Sequence, residues 1–125
     1  MFGSNKKKIL VVEDESDIAE ELSVRLELDH YDVVVAKNGQ EGVNKARSEK
    51  PDLVILDVMM PKLNGFDVCK ILKNEKDTKH IPILMLTALQ MVGDVDKAFE
   101  SGANDYLSKP YTNERLIQKV HTLLK

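Results

Sequence analysis

Four short apolar runs in this 125-residue sequence end at, or within two residues of, a side chain able to do chemistry. Ile9-Leu10-Val11-Val12 stops at Glu13-Asp14, and Leu53-Val54-Ile55-Leu56 stops at Asp57. Ile83-Leu84-Met85-Leu86 stops at Thr87, and Tyr106-Leu107 stops two residues before Lys109. The remaining run, Val33-Val34-Val35, meets only Ala36-Lys37. Three carboxylates brought into one cleft repel, and either protonation or a hard cation relieves them. A small cation that takes oxygen ligands and keeps several waters suits such a set, which means Mg2+ or Mn2+. Three carboxylates, a divalent cation and one lysine sum to nearly zero charge. That site can receive a phosphoryl group, whose oxygens need the metal, the ammonium and a hydroxyl donor. One carboxylate can itself attack phosphorus and become an acyl phosphate.

Those residues converge only if the elements between them place them so. The five runs are mostly continuous rather than alternating and are rich in β-branched residues, as strands buried on both faces are. Helical patterns fill the gaps. Ile18, Leu22 and Leu26 make one stripe, Val43 and Ala46 a weak second, and Val68, Ile71 and Leu72 a third. Val95, Ala98 and Phe99 suggest a fourth that ends at Gly102, and Leu116, Ile117, Val120, Leu123 and Leu124 form the clearest. Asp14-Glu15-Ser16, Asn38-Gly39 and Asn64-Gly65 supply start signals for the first three helices. The β-α alternation, repeated five times, implies a single α/β domain: a doubly wound parallel sheet with helices on both faces and right-handed crossovers. In such a sheet the carboxyl ends of all strands share one edge, where ligand sites form.

Composition narrows the field. Apolar residues make up 42% and charged residues 31%, a globular balance. The net charge of −3 argues against a duplex nucleic-acid binder. The one cysteine, Cys69, fits a reducing compartment and rules out a cysteine-based zinc cage. The Lys6-Lys7-Lys8 start is followed by only four apolar residues, too few for a signal peptide or a membrane span. The expected location is therefore the cytoplasm, with residues 1–7 as a tail and 8–125 as the domain.

Five motifs in order carry a family resemblance. Val11-Val12-Glu13-Asp14-Glu15, Leu56-Asp57-Val58-Met59-Met60-Pro61 with Asn64-Gly65, Leu86-Thr87-Ala88, Gly102-Ala103-Asn104-Asp105-Tyr106 and Lys109-Pro110 resemble the receiver domain of bacterial two-component response regulators. The resemblance implies the CheY-like, flavodoxin-like (βα)5 fold with strand order 2-1-3-4-5. It implies Asp57 as phosphoacceptor, with Asp14, Asp57 and the Met59 backbone carbonyl on Mg2+ (Mn2+ as a substitute) and Glu13 acting on the metal through water. Thr87 would hydrogen-bond a phosphoryl oxygen once Asp57 is modified, and Lys109 would pair with the phosphoryl group or with Asp57. Tyr106 would be the switch aromatic that rotates inward as Thr87 moves, reshaping the face of helix four, strand five and helix five. The Lys109-Pro110 bond is expected to be cis.

The implied function is phosphorelay signalling without turnover chemistry. A sensor histidine kinase or histidine phosphotransfer protein donates the phosphoryl group, and a downstream output protein or domain reads the switch. The domain assists its own phosphorylation and dephosphorylation. Neither membrane nor nucleic acid is contacted directly, and helix four, with Gly93 near its start, leaves a phosphorylation-dependent homodimer open. Met59 and Leu89, both apolar, occupy positions that modulate phosphoryl loss in this family, which implies partial shielding of the acyl phosphate from water.

Three rivals are weaker. A Mg2+-dependent phosphatase with an aspartate nucleophile, of the haloacid-dehalogenase type, needs a second aspartate where Met59 stands. A flavodoxin-like cofactor module needs a Gly-rich phosphate loop after strand one, where Glu13-Asp14 stands instead. A degenerate receiver acting only as an interaction scaffold has no need of the full site set. His30, His80 and His121 lack metal spacing and are read as surface or helix-end residues.

Overall fold

The computed structural model describes residues 6–60, 62–88 and 94–125. Leu89, Pro61, Gly93 and residues 1–5 of the expected tail lie outside the described residues. The chain alternates strand and helix: β1 (Lys8–Val12), α1 (Ser16–Leu28), β2 (Asp32–Ala36), α2 (Gly39–Glu49), β3 (Leu53–Asp57), α3 (Gly65–Lys73), β4 (Ile83–Thr87), α4 (Asp94–Glu100), β5 (Asp105–Ser108) and α5 (Asn113–Leu123). The described strands form one parallel sheet in the order β2-β1-β3-β4-β5, as expected for a doubly wound α/β fold. No described helix is long and apolar enough to cross a membrane.

Burial follows strand position. β3 and β4 lie inside the sheet and are buried at every residue, while β2 is half-buried over Asp32–Val35. Val33, Val34 and Val35 read like an interior strand, but among the described residues β2 pairs only with β1 and sits at an edge. Two apolar clusters flank the sheet. Leu10, Val54, Leu56, Val68, Leu72 and Met85 belong to one, with the buried thiol of Cys69. Ile9, Ile55, Leu22, Leu26, Leu116 and Val120 belong to the other. Successive strand residues thus feed opposite faces, although no polar residue marks the alternation.

The helix starts are partly as expected. Asn38 Oδ1 accepts the Glu41 N–H at 2.8 Å, and Asn64 Oδ1 accepts the Asp67 N–H at 3.0 Å. Thr112 caps α5 in the same way, through the Arg115 N–H at 3.1 Å. The Asp14-Glu15-Ser16 signal behaves differently. Glu15 occupies the cap position of α1, but its side chain makes no capping hydrogen bond. Its N–H instead donates to Glu13 Oε2 at 3.0 Å, so the acid of the preceding strand end steadies this turn. Gly102, at φ +105°, ends the turn after α4 in a conformation that side chains rarely adopt.

Candidate functional site

Parallel pairing brings the polar strand ends together. Val12 is level with Leu56, and Asp57 with Leu86, so Glu13 and Asp57 emerge on neighbouring strands and Thr87 one step further along β4. Thr87 is level with Ser108, and its carbonyl accepts the Lys109 N–H at 2.8 Å. The Lys109-Pro110 bond is cis. Glu13, Asp14 and Asp57 each bring a carboxylate oxygen within 4.8 Å of the others. Lys109 Nζ reaches Asp57 Oδ1 at 3.3 Å, and the Met59 N–H approaches the same oxygen at 3.4 Å.

Burial differs sharply within this group. Glu13 is 2% exposed, Asp57 5% and Thr87 4%, whereas Asp14 faces solvent. Burial is the main cause raising the Glu13 carboxyl from 4.5 to about 7. The Glu15 N–H opposes that rise, while the nearby Asp57 and Asp14 carboxylates add to it. Glu13 Oε1 is buried and has no hydrogen-bond partner among the described residues. An unpaired buried carboxylate oxygen is costly, and one lysine does not neutralise three acids. A small divalent cation with oxygen ligands supplies the missing charge, so this donor set fits Mg2+.

The loop after Asp57 is tightly drawn. The Val58 carbonyl accepts the N–H groups of Met60 at 3.1 Å and Gly65 at 3.0 Å. A Cβ on Gly65 would lie 2.5 Å from the Asp57 carbonyl oxygen, so α3 starts against the backbone of Asp57 with no room for a side chain. The Met59 side chain is 74% exposed.

Tyr106 stands apart from the acidic cluster. Its ring meets Phe99 of α4 edge-on with centroids 5.8 Å apart, and Lys119 Nζ lies 5.7 Å from its centroid. Lys119 also pairs with Asp105 at 2.9 Å. Sequence reasoning passed over Tyr111. Burial raises its hydroxyl, and the charges of Glu13, Asp57 and Glu21 raise it further, which places it in the electrostatic reach of the site. Its position two residues after Lys109 was the available signal. The three histidines hold no shared site. His121, in the last turn of α5, contacts Asp29 Oδ2 at 2.9 Å, and His30 follows α1 at φ 70°.

Comparison with known proteins gives the same picture. The Bacillus subtilis alkaline phosphatase synthesis transcriptional regulatory protein PhoP is 46% identical over 119 residues, covering 95% of this chain and 49% of that protein. The chain spans about half the length of the curated relatives it matches. Vibrio cholerae chemotaxis protein CheY4 superposes with a TM-score of 0.89 at 32% identity, covering 95% of this chain and 99% of that one. The receiver domain of the Pseudomonas aeruginosa sensor histidine kinase PA1611, solved with a magnesium ion in its active-site cleft, gives 0.88 at 26% identity, covering 95% and 98%. The family model described as the response regulator receiver domain matches residues 9–121, nearly the whole chain, and to that family the chain belongs.

Proposed function

We propose that Asp57 accepts a phosphoryl group from a phosphohistidine on a sensor kinase or histidine phosphotransfer protein. One observation carries this reading: the carboxylates of Glu13, Asp14 and Asp57 lie within 4.8 Å of one another, with Lys109 at 3.3 Å from Asp57. Asp14, Asp57 and the Met59 carbonyl would hold Mg2+, with Glu13 acting through water and Mn2+ as a substitute. When bound, the cation neutralises charge that develops on the transferring group.

The chain's own residues do the positioning. An Asp57 carboxylate oxygen forms the new bond to phosphorus as the phosphorus–nitrogen bond to the donor imidazole breaks, and the imidazole leaves with the electron pair. Lys109 holds Asp57 before transfer and meets a phosphoryl oxygen after it. Thr87, buried at the end of β4, donates its hydroxyl to another. That contact favours one of two conformations, and Tyr106 follows by leaving its place between Phe99 and Lys119. The face of α4, β5 and α5 then presents a different surface to an output domain or protein, or to a second copy of the chain. The domain acts in the cytoplasm as a signalling element, and assists its own phosphorylation and dephosphorylation without turning over a substrate. Residues 8–125 form the receiver unit, preceded by a tail at 1–7.

Incubation with acetyl phosphate and Mg2+, followed by intact-mass measurement, tests the proposal. Wild type gains one phosphoryl group, Asp57→Asn gains none, and chelation of Mg2+ abolishes the gain. Equal modification of Asp57→Asn would refute the assignment.

A further inference from the structure

The first turn of α2 touches both halves of the site. A Cβ on Gly39 would lie 2.6 Å from the Leu63 carbonyl oxygen, 2.9 Å from Leu63 Cβ and 2.9 Å from Val68 Cγ2. Leu63 belongs to the loop between β3 and α3, the loop that follows Asp57 and carries the Met59 carbonyl. One turn along, a Cβ on Gly42 would lie 2.9 Å from both methyl carbons of Val12, the residue before Glu13. The same turn therefore rests bare backbone on the support of Glu13 and on the far end of the loop from Asp57. Its own position is fixed. Asn38 caps the helix by accepting the Glu41 N–H at 2.8 Å, and Glu41 Oε1 accepts the N–H of Lys37, the residue before the cap, at 3.3 Å.

We infer that Gly39 is a positioning residue: as the seat of the loop between β3 and α3, it sets where the Met59 carbonyl and the Asp57 carboxylate stand relative to Glu13 and Asp14. The inference rests on the proposed metal site and adds a residue to it that no acid or hydroxyl motif reveals. The contact involves a backbone oxygen and a Cβ, which no rotamer change can move aside. A methyl group at position 39 must push the loop or the helix. Displacements of this kind are small, but oxygen ligands around Mg2+ tolerate little deviation from octahedral geometry.

The experiment compares three variants with wild type. Gly39→Ala crowds the seat, Leu63→Gly takes away the Cβ that rests on it, and Val120→Ala removes packing on the opposite side of the sheet. Mg2+ affinity is measured by titration calorimetry, and amide hydrogen exchange at residues 58–65 is followed in metal-free protein. Expected are a Mg2+ dissociation constant raised at least fivefold (about 1 kcal/mol) and faster exchange at the Met60 and Gly65 amides, for both Gly39→Ala and Leu63→Gly. Val120→Ala should lower Tm yet leave the dissociation constant within twofold. If Gly39→Ala does not fold, Leu63→Gly decides. Wild-type affinity and exchange in the seat variants, or an equal loss of affinity in Val120→Ala, would overturn the inference. Failure of wild type itself to bind Mg2+ would instead remove the metal site on which it stands.

Discussion

Glu13 gives the site its sharpest dependence on pH. Its carboxyl sits at about 7 in the fold against 4.5 for an ordinary glutamate, mainly because it is buried. The folded protein therefore holds a proton through pH 4.5–7 that the unfolded chain has released. Stability of the metal-free protein falls as pH rises through that window, by roughly 1–3 kcal/mol, and then levels off. Mg2+ at the proposed site would remove the penalty, so its stabilising effect is expected to be larger at pH 8 than at pH 5. Thermal melts with and without Mg2+ at both values check this, and equal shifts would contradict it. Replacement of Asp57 by Asn removes one of the crowded charges and raises metal-free stability by about 1 kcal/mol, measured by urea unfolding. Asp14, Asp57, Thr87 and Lys109 were legible because each follows an apolar run, and a parallel sheet gathers such ends. Their burial was not. Glu13 and Asp14 are adjacent in the chain, yet one is enclosed and the other faces water, because neighbouring residues at a strand end point to different sides.

At the scale of elements, the helix starts are the part most open to adjustment. Asn38 and Asn64 already accept backbone N–H groups, but Glu15 makes no such bond although its backbone is extended at φ −88°, ψ 114°. A shorter acceptor suits that geometry. Glu15→Ser is expected to raise stability by about 0.5–1 kcal/mol, read by chemical denaturation with Mg2+ affinity unchanged. An Asn64→Ala change should cost about 1 kcal/mol by the same measurement. The strand and helix order could be read because apolar runs and stripes have different periods. The partial exposure of β2 could not, since Val33-Val34-Val35 resembles the interior strands and only the pairing order makes it an edge. Tyr106 shows a similar limit. Its strand was evident, but its contacts with Phe99 and Lys119 come from two helices that the sequence does not orient.

The whole molecule places one apolar layer on each side of a single sheet, and both layers depend on that sheet. Leu72 and Leu84, each fully buried, belong to different layers, and truncating either to Ala should cost about 2–5 kcal/mol in one cooperative transition. Cys69 lies within the first layer, fully enclosed, on α3 just beyond the loop that follows Asp57. As the sole sulfhydryl in the sequence, it gives the molecule an internal clock. A colorimetric disulfide reagent reaches it only when α3 lifts away or the chain opens completely, so the labelling rate records how often that happens. Under slow-labelling conditions, agents that tighten the acidic cleft should lengthen the ticks, without a fluorophore or an engineered probe.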